Sequence, residues 1–133
     1  MTESSPIIRT IARFAGPLSL LVALRIFFQG HDLPGGGFIA GVLLAAAGAI
    51  HMLAFGTRRA AAVSWWRIGV LGLLVSVLTG TVPLLRGRPY MDNVILHLWS
   101  YHLPTATFFD LGVMLIVLGT LMTIFVELSL ERR

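Results

Sequence analysis

Cysteine is missing from this 133-residue chain. Disulfides, thiolate zinc sites, iron–sulfur ligation and thiol nucleophiles are excluded with it. Charge is almost as scarce, with 12% of residues charged, 56% hydrophobic and a mean hydropathy of +0.87. Soluble domains carry about 25% charged residues. So few charges cannot cover a small domain, so apolar surface must face lipid or neighbouring subunits. Lysine is absent too, and all ten basic residues are arginine. The net charge of +4 and pI near 11.1 would suit a nucleic-acid binder. The arginines, however, stand singly or in pairs between long apolar runs and form no basic face with aromatic platforms. That is the distribution of membrane flanks, and nucleic acid is set aside as a partner. Nor does any nucleophile–base constellation, metal cluster or carboxylate pair occur at workable spacing. The expectation is a non-enzyme without metal or cofactor.

What is present is a set of long apolar runs. A helix crossing a ~30 Å hydrocarbon core needs ~20 mostly apolar residues. Four runs qualify: Ile7 to Phe28, Gly37 to Phe55, Trp66 to Leu85 and Phe108 to Leu128. In the first, Arg13 and Arg25 leave only Phe14 to Leu24 uninterrupted, the length of a signal-peptide core. No small-x-small cleavage pattern follows. The two arginines lie about 18 Å apart along a helix, so each can snorkel to its own interface and the pair brackets a bilayer. Pro17 predicts a kink.

The other runs carry the small residues that let helices approach where lipid gives them no hydrophobic reason to associate. Gly37, Gly41, Ala45 and Ala49 form one stripe, Gly72, Ser76 and Gly80 a second, and Gly112 with Gly119 a third. Trp65 and Trp66 beside Arg58, Arg59 and Arg67 read as an interfacial anchor. Arg9, Arg13, Arg58, Arg59, Arg67, Arg132 and Arg133 fall on one side, against Arg25, Arg86 and Arg88 on the other. This bias predicts an all-α membrane protein with four transmembrane helices and both termini cytoplasmic. The connections Gln29 to Gly36 and Arg86 to Thr107 would then face outward. The second contains Tyr90, Trp99 and Tyr101 and is too apolar for a solvated linker. A short hairpin and an interfacial helix both fit it.

The most informative string is Gly30-His31-Asp32-Leu33-Pro34-Gly35-Gly36-Gly37-Phe38, followed by Gly41. Proline fixes one turn, and successive glycines allow positive φ and close backbone approach. It is no phosphate-binding loop, having neither a Gly-Lys-Ser/Thr ending nor a preceding strand. A second string, Thr105-Ala106-Thr107-Phe108-Phe109-Asp110-Leu111-Gly112-Val113, opens the last span.

With these two motifs, the length and the four-span layout, the chain resembles the MnhB (MrpB) family, small membrane subunits of Mrp-type multisubunit sodium/proton antiporters. The resemblance covers nearly all of residues 1–133, read as one MnhB-like membrane domain with helices about 7–28, 37–55, 66–85 and 108–128. It implies a non-catalytic subunit of a cation/proton antiporter in the bacterial cell (inner) membrane, supporting sodium extrusion and pH homeostasis. Its implied partners are the A, C, D, E, F and G type membrane subunits, the bilayer, sodium ions and protons. The motif glycines Gly30, Gly35, Gly36, Gly37 and Gly41, with Pro34 and Phe38, are expected to be structural.

Ionizable groups near the bilayer are the candidates for an ion path. Asp110 has two readings: Thr107-x-x-Asp110 is a capping box at a helix start, or the carboxylate belongs to the path. His31 and Asp32 sit at an outer mouth, where histidine can relay protons or serve a structural contact. Arg25 needs water, snorkeling or a carboxylate, with Asp32, Asp110 or a neighbouring protein as partner. His51 suits a helix C-terminus, and Glu127 and Glu131 suit headgroup-region water.

Two alternatives remain. One is the related subunit in the sodium-translocating module of a membrane-bound hydrogenase or sulfur-reducing complex. The other is a small haem or quinone oxidoreductase, disfavoured because His51 lies near one surface and His31, His97 and His102 near the other.

Overall fold

The computed structural model describes residues 5–29, 36–85, 87, 95–98 and 101–132. In chain order the elements are α1 (Pro6–Gln29), α2 (Gly36–Phe55), the single turn α3 (Arg58–Ala61), α4 (Trp65–Leu85), β1 (Ile95–Leu98), β2 (Tyr101–Pro104) and α5 (Thr105–Glu131). Four of these helices are long and apolar enough to cross a membrane. At 1.5 Å per residue the shortest, α2, reaches about 30 Å and the longest, α5, about 40 Å.

The first three spans begin and end within a residue or so of their apolar runs. The fourth is longer, starting at Thr105 and running to Glu131. α1 is continuous through Pro17. Of the 86–107 segment, expected to be either hairpin or helix, the described residues 95–98 and 101–104 pair antiparallel as β1 and β2, Ile95 opposite Pro104 and Leu98 opposite Tyr101. β2 leads without a break into α5.

The helices stand in an open row, in the order α1, α2, α5, α4. α2 and α5 each meet two neighbours, whereas α1 and α4 occupy the ends. Consequently most of each span stays uncovered by the chain itself, with only 17% to 33% of its apolar window buried. Leu85, Phe14 and Leu21 are among the large side chains that face outward. In water such a surface would aggregate; in lipid it is solvated.

Two small apolar clusters hold the row. Ala23 and Phe27 of α1 pack on Ala40 of α2, with Leu111 and Met114 of α5 against them. At the other end Met52 of α2 meets Met122 and Val126 of α5, flanked by Trp65 and Ala60. The α2 terminus is set by Gly56, whose φ of +88° is open to glycine at little cost, and whose N–H donates to the Met52 carbonyl at 2.9 Å. The Trp65 indole N–H then donates to the Ala60 carbonyl at 2.8 Å, tying α3 to the start of α4. Hydroxyls within the spans donate to carbonyls of their own helices, as Thr123 does to Gly119 at 2.7 Å and Ser129 to Phe125 at 2.7 Å. These bonds satisfy polar groups that hydrocarbon cannot.

Candidate functional site

The two sequence motifs meet. α2 and α5 run parallel, and their contact begins where Gly37 faces the Asp110 backbone. A Cβ placed on Gly37 would lie 2.9 Å from the Asp110 carbonyl carbon and 3.0 Å from its Cα, with the carbonyl oxygen nearer still. One turn on, a Cβ at Gly41 would meet the Met114 carbonyl oxygen at 2.9 Å and the Val117 Cβ at 2.9 Å. Gly36, Gly37 and Gly41 are all buried, whereas Phe38 points outward. Gly37 and Gly41 are therefore notches that admit the α5 backbone, as close helix contact in lipid requires.

The same device recurs on the other flank of α5. A Cβ on Gly72 would stand 2.5 Å from the Gly112 carbonyl oxygen and 2.7 Å from the Ile116 nitrogen. Gly119 lies against Gly69 and the Trp65 carbonyl. Ser76 covers Gly112 and donates weakly to the Phe109 carbonyl at 3.5 Å. Of the expected stripes, Gly37, Gly41, Ala45, Gly72, Ser76, Gly80, Gly112 and Gly119 are all buried, whereas Ala49, near the end of the first, is only half-buried. Gly48, where an added Cβ would meet the Met122 sulfur at 2.6 Å, and Gly69 lie off those stripes, and the sequence pattern does not single them out. The three-residue step from Gly69 to Gly72 is the signal that could have revealed the second.

Asp110 is half-buried between these two seams and engaged within the chain. The capping-box reading does not fit, because α5 starts at Thr105, leaving no acidic residue in its first turn and placing Thr107 inside the helix. Arg25 is exposed on α1. It lies about 200° round the helix from Ala23 and from Phe27, the two residues that face α2. With α2 standing between α1 and α5, Asp110 is not its partner. Among the described residues the Arg25 side chain makes no ion pair or hydrogen bond. Gly30, His31, Asp32, Pro34 and Gly35 lie outside the described residues. His51 is exposed, its ring 4.6 Å from that of Phe55. Among the described residues no group of three or more His, Cys, Asp or Glu side chains is placed to hold a metal.

Apolar helices joined through backbone notches, with broad faces left open, define a multi-pass membrane protein of the subunit type. A family model described as a domain related to the MnhB subunit of Na+/H+ antiporter matches residues 7–123. The chain belongs to this MnhB family of Na+/H+ antiporter subunits. Similar proteins named as antiporter subunit mnhB2 occur in Staphylococcus epidermidis, 30% identical over 97% of each chain, and in Staphylococcus haemolyticus, 31% identical over 97% of each. The Staphylococcus aureus strain Newman protein of that name is 29% identical over the same share.

Proposed function

We propose that the chain is a non-catalytic scaffold within a multisubunit Na+/H+ antiporter, acting as one MnhB-type domain along its whole length. It supports sodium extrusion and pH homeostasis from the inner membrane, with both termini cytoplasmic. The observation that carries this reading is the backbone contact between Gly37 and Asp110, which locks the start of α2 to the start of α5. The names borne by the relatives favour an antiporter over a hydrogenase module. The exposed Arg58, Arg59, Arg67 and Arg132, beside the end of α2, the start of α4 and the end of α5, support the orientation, since cytoplasmic flanks are arginine-rich.

The open faces serve the other membrane proteins of the complex. Arg25, outward on α1 and close to the end of its span, is the group we assign to a carboxylate of such a neighbour, because an ion in hydrocarbon requires a partner or water. Asp110, held at the junction of two helix seams, is assigned to the ion path, with His31 and Asp32 preceding α2 as its companions. The test is transport by the whole complex carrying Asp110→Asn or, separately, His31→Ala, with assembly followed on native gels. Lost exchange in an intact complex is the expected result for Asp110→Asn. Normal exchange there would remove it from the path, and lost assembly would make it purely structural.

A further inference from the structure

Along one side of the α4–α5 seam runs an open trough of about 360 Å³. Its walls are Trp66, Val70 and Leu73 of α4 and Ile116, Thr120 and Ile124 of α5. From Trp66 to Leu73 it extends roughly 10 Å toward the membrane centre. Its lining is apolar apart from two threonines, of which Thr123 already donates its hydroxyl to the Gly119 carbonyl. At the Trp66 end stand two opposite charges. The Arg67 guanidinium lies over the Trp66 ring, 5.4 Å from its centroid. Glu127 lines the adjoining recess, which shares Trp66 and Thr123 with the trough. Both are exposed, and among the described residues neither side chain forms an ion pair or hydrogen bond.

We propose that this trough binds an aminophospholipid: one acyl chain lies along the Val70–Leu73 and Ile116–Ile124 walls, the phosphate meets Arg67, and the primary ammonium meets Glu127. The apolar length suits hydrocarbon and the mouth offers one charge of each sign at interfacial depth, where a zwitterionic headgroup sits. A purely anionic headgroup would satisfy Arg67 and be repelled by Glu127. A choline headgroup has no N–H to donate to the carboxylate. A partner helix is disfavoured because both seams of α5 close on glycine notches, whereas branched and aromatic side chains along these walls hold a second backbone away. The assignment does not depend on which side of the membrane the Trp66 end faces.

The test uses the whole complex in nanodiscs of equal phosphatidylethanolamine, phosphatidylglycerol and phosphatidylcholine, with a photoactivatable diazirine residue replacing Val70. After irradiation the mass of this 14.5 kDa chain is read. A second probe replacing Leu71, exposed and off the trough, reports bulk lipid. The expected product at position 70 is a phospholipid adduct with ethanolamine enriched about fivefold over its share at position 71, the effect of roughly one interfacial charge contact. Glu127→Gln should abolish that preference while total adduct persists, and Arg67→Gln should lower all phospholipid adducts about fivefold. An adduct of protein mass, no adduct where Leu71 gives one, equal yields from the three lipids, or a preference indifferent to Glu127→Gln would each overturn the assignment.

Discussion

Three glycine-to-alanine substitutions isolate what the helix notches contribute. The added atom is the same methyl group, and only its surroundings differ. At Gly16 it meets nothing within 4 Å, so the substitution should be neutral or gain up to about 1 kcal/mol from helix propensity. At Gly48 it meets the Met122 sulfur at 2.6 Å and its terminal methyl at 3.1 Å. A thioether with three rotatable bonds can swing aside, and the cost should stay below about 1 kcal/mol. At Gly37 the obstacle is the Asp110 backbone, at 2.9 Å and 3.0 Å and nearer for the carbonyl oxygen. Backbone within a helix cannot rotate away, so α2 and α5 must separate along their upper seam. Overpacking of this kind costs about 1–3 kcal/mol, and the next notch, Gly41, would be loosened with it. Thermal unfolding of the assembled complex in nanodiscs, with native-gel yield in parallel, should rank Gly37→Ala well below Gly48→Ala, and Gly48→Ala at or just below Gly16→Ala. A Gly37→Ala complex that melts together with Gly48→Ala would refute the notch argument.

Arg25→Gln should reduce recovery of other membrane subunits with this chain, because a partner carboxylate left unpaired in hydrocarbon costs about 3–5 kcal/mol. Undiminished co-purification would return Arg25 to simple snorkeling. Trp65→Phe keeps an aromatic ring but removes the indole N–H that holds the Ala60 carbonyl, and should lower stability by about 1 kcal/mol in the same melting assay; an unchanged midpoint would show that ring packing alone joins α3 to α4.

The four spans are legible in the sequence because hydrocarbon thickness imposes a length, and Arg, Pro and Gly mark its limits. The fourth outruns its apolar stretch for the same reason. Thr105, Ala106 and Thr107 do not read as an apolar run, and Glu127 and Glu131 read as the end of one, yet all lie within α5. Pro104, directly before the first turn, was the available signal for the earlier start. Neighbour relations were harder. α2, α4 and α5 are apolar all round, so no polar face tells which side turns inward; only the small-residue stripes mark contact, and they mark Gly37 and Gly112 without saying that both touch α5 seams around Asp110. The Arg25–Asp110 pairing failed at this point, since similar depth says nothing about an intervening helix. Within the motif, close approach to α5 explains Gly37 and Gly41.

A single file of helices has no inside. Among the described residues the helices form a partition about one helix thick, roughly 10 Å, with two broad sides and no lumen between them. Any hydrated conduit that borders this polypeptide must be closed off by a second protein standing opposite, so vesicles containing this chain alone should remain tight to sodium and to protons.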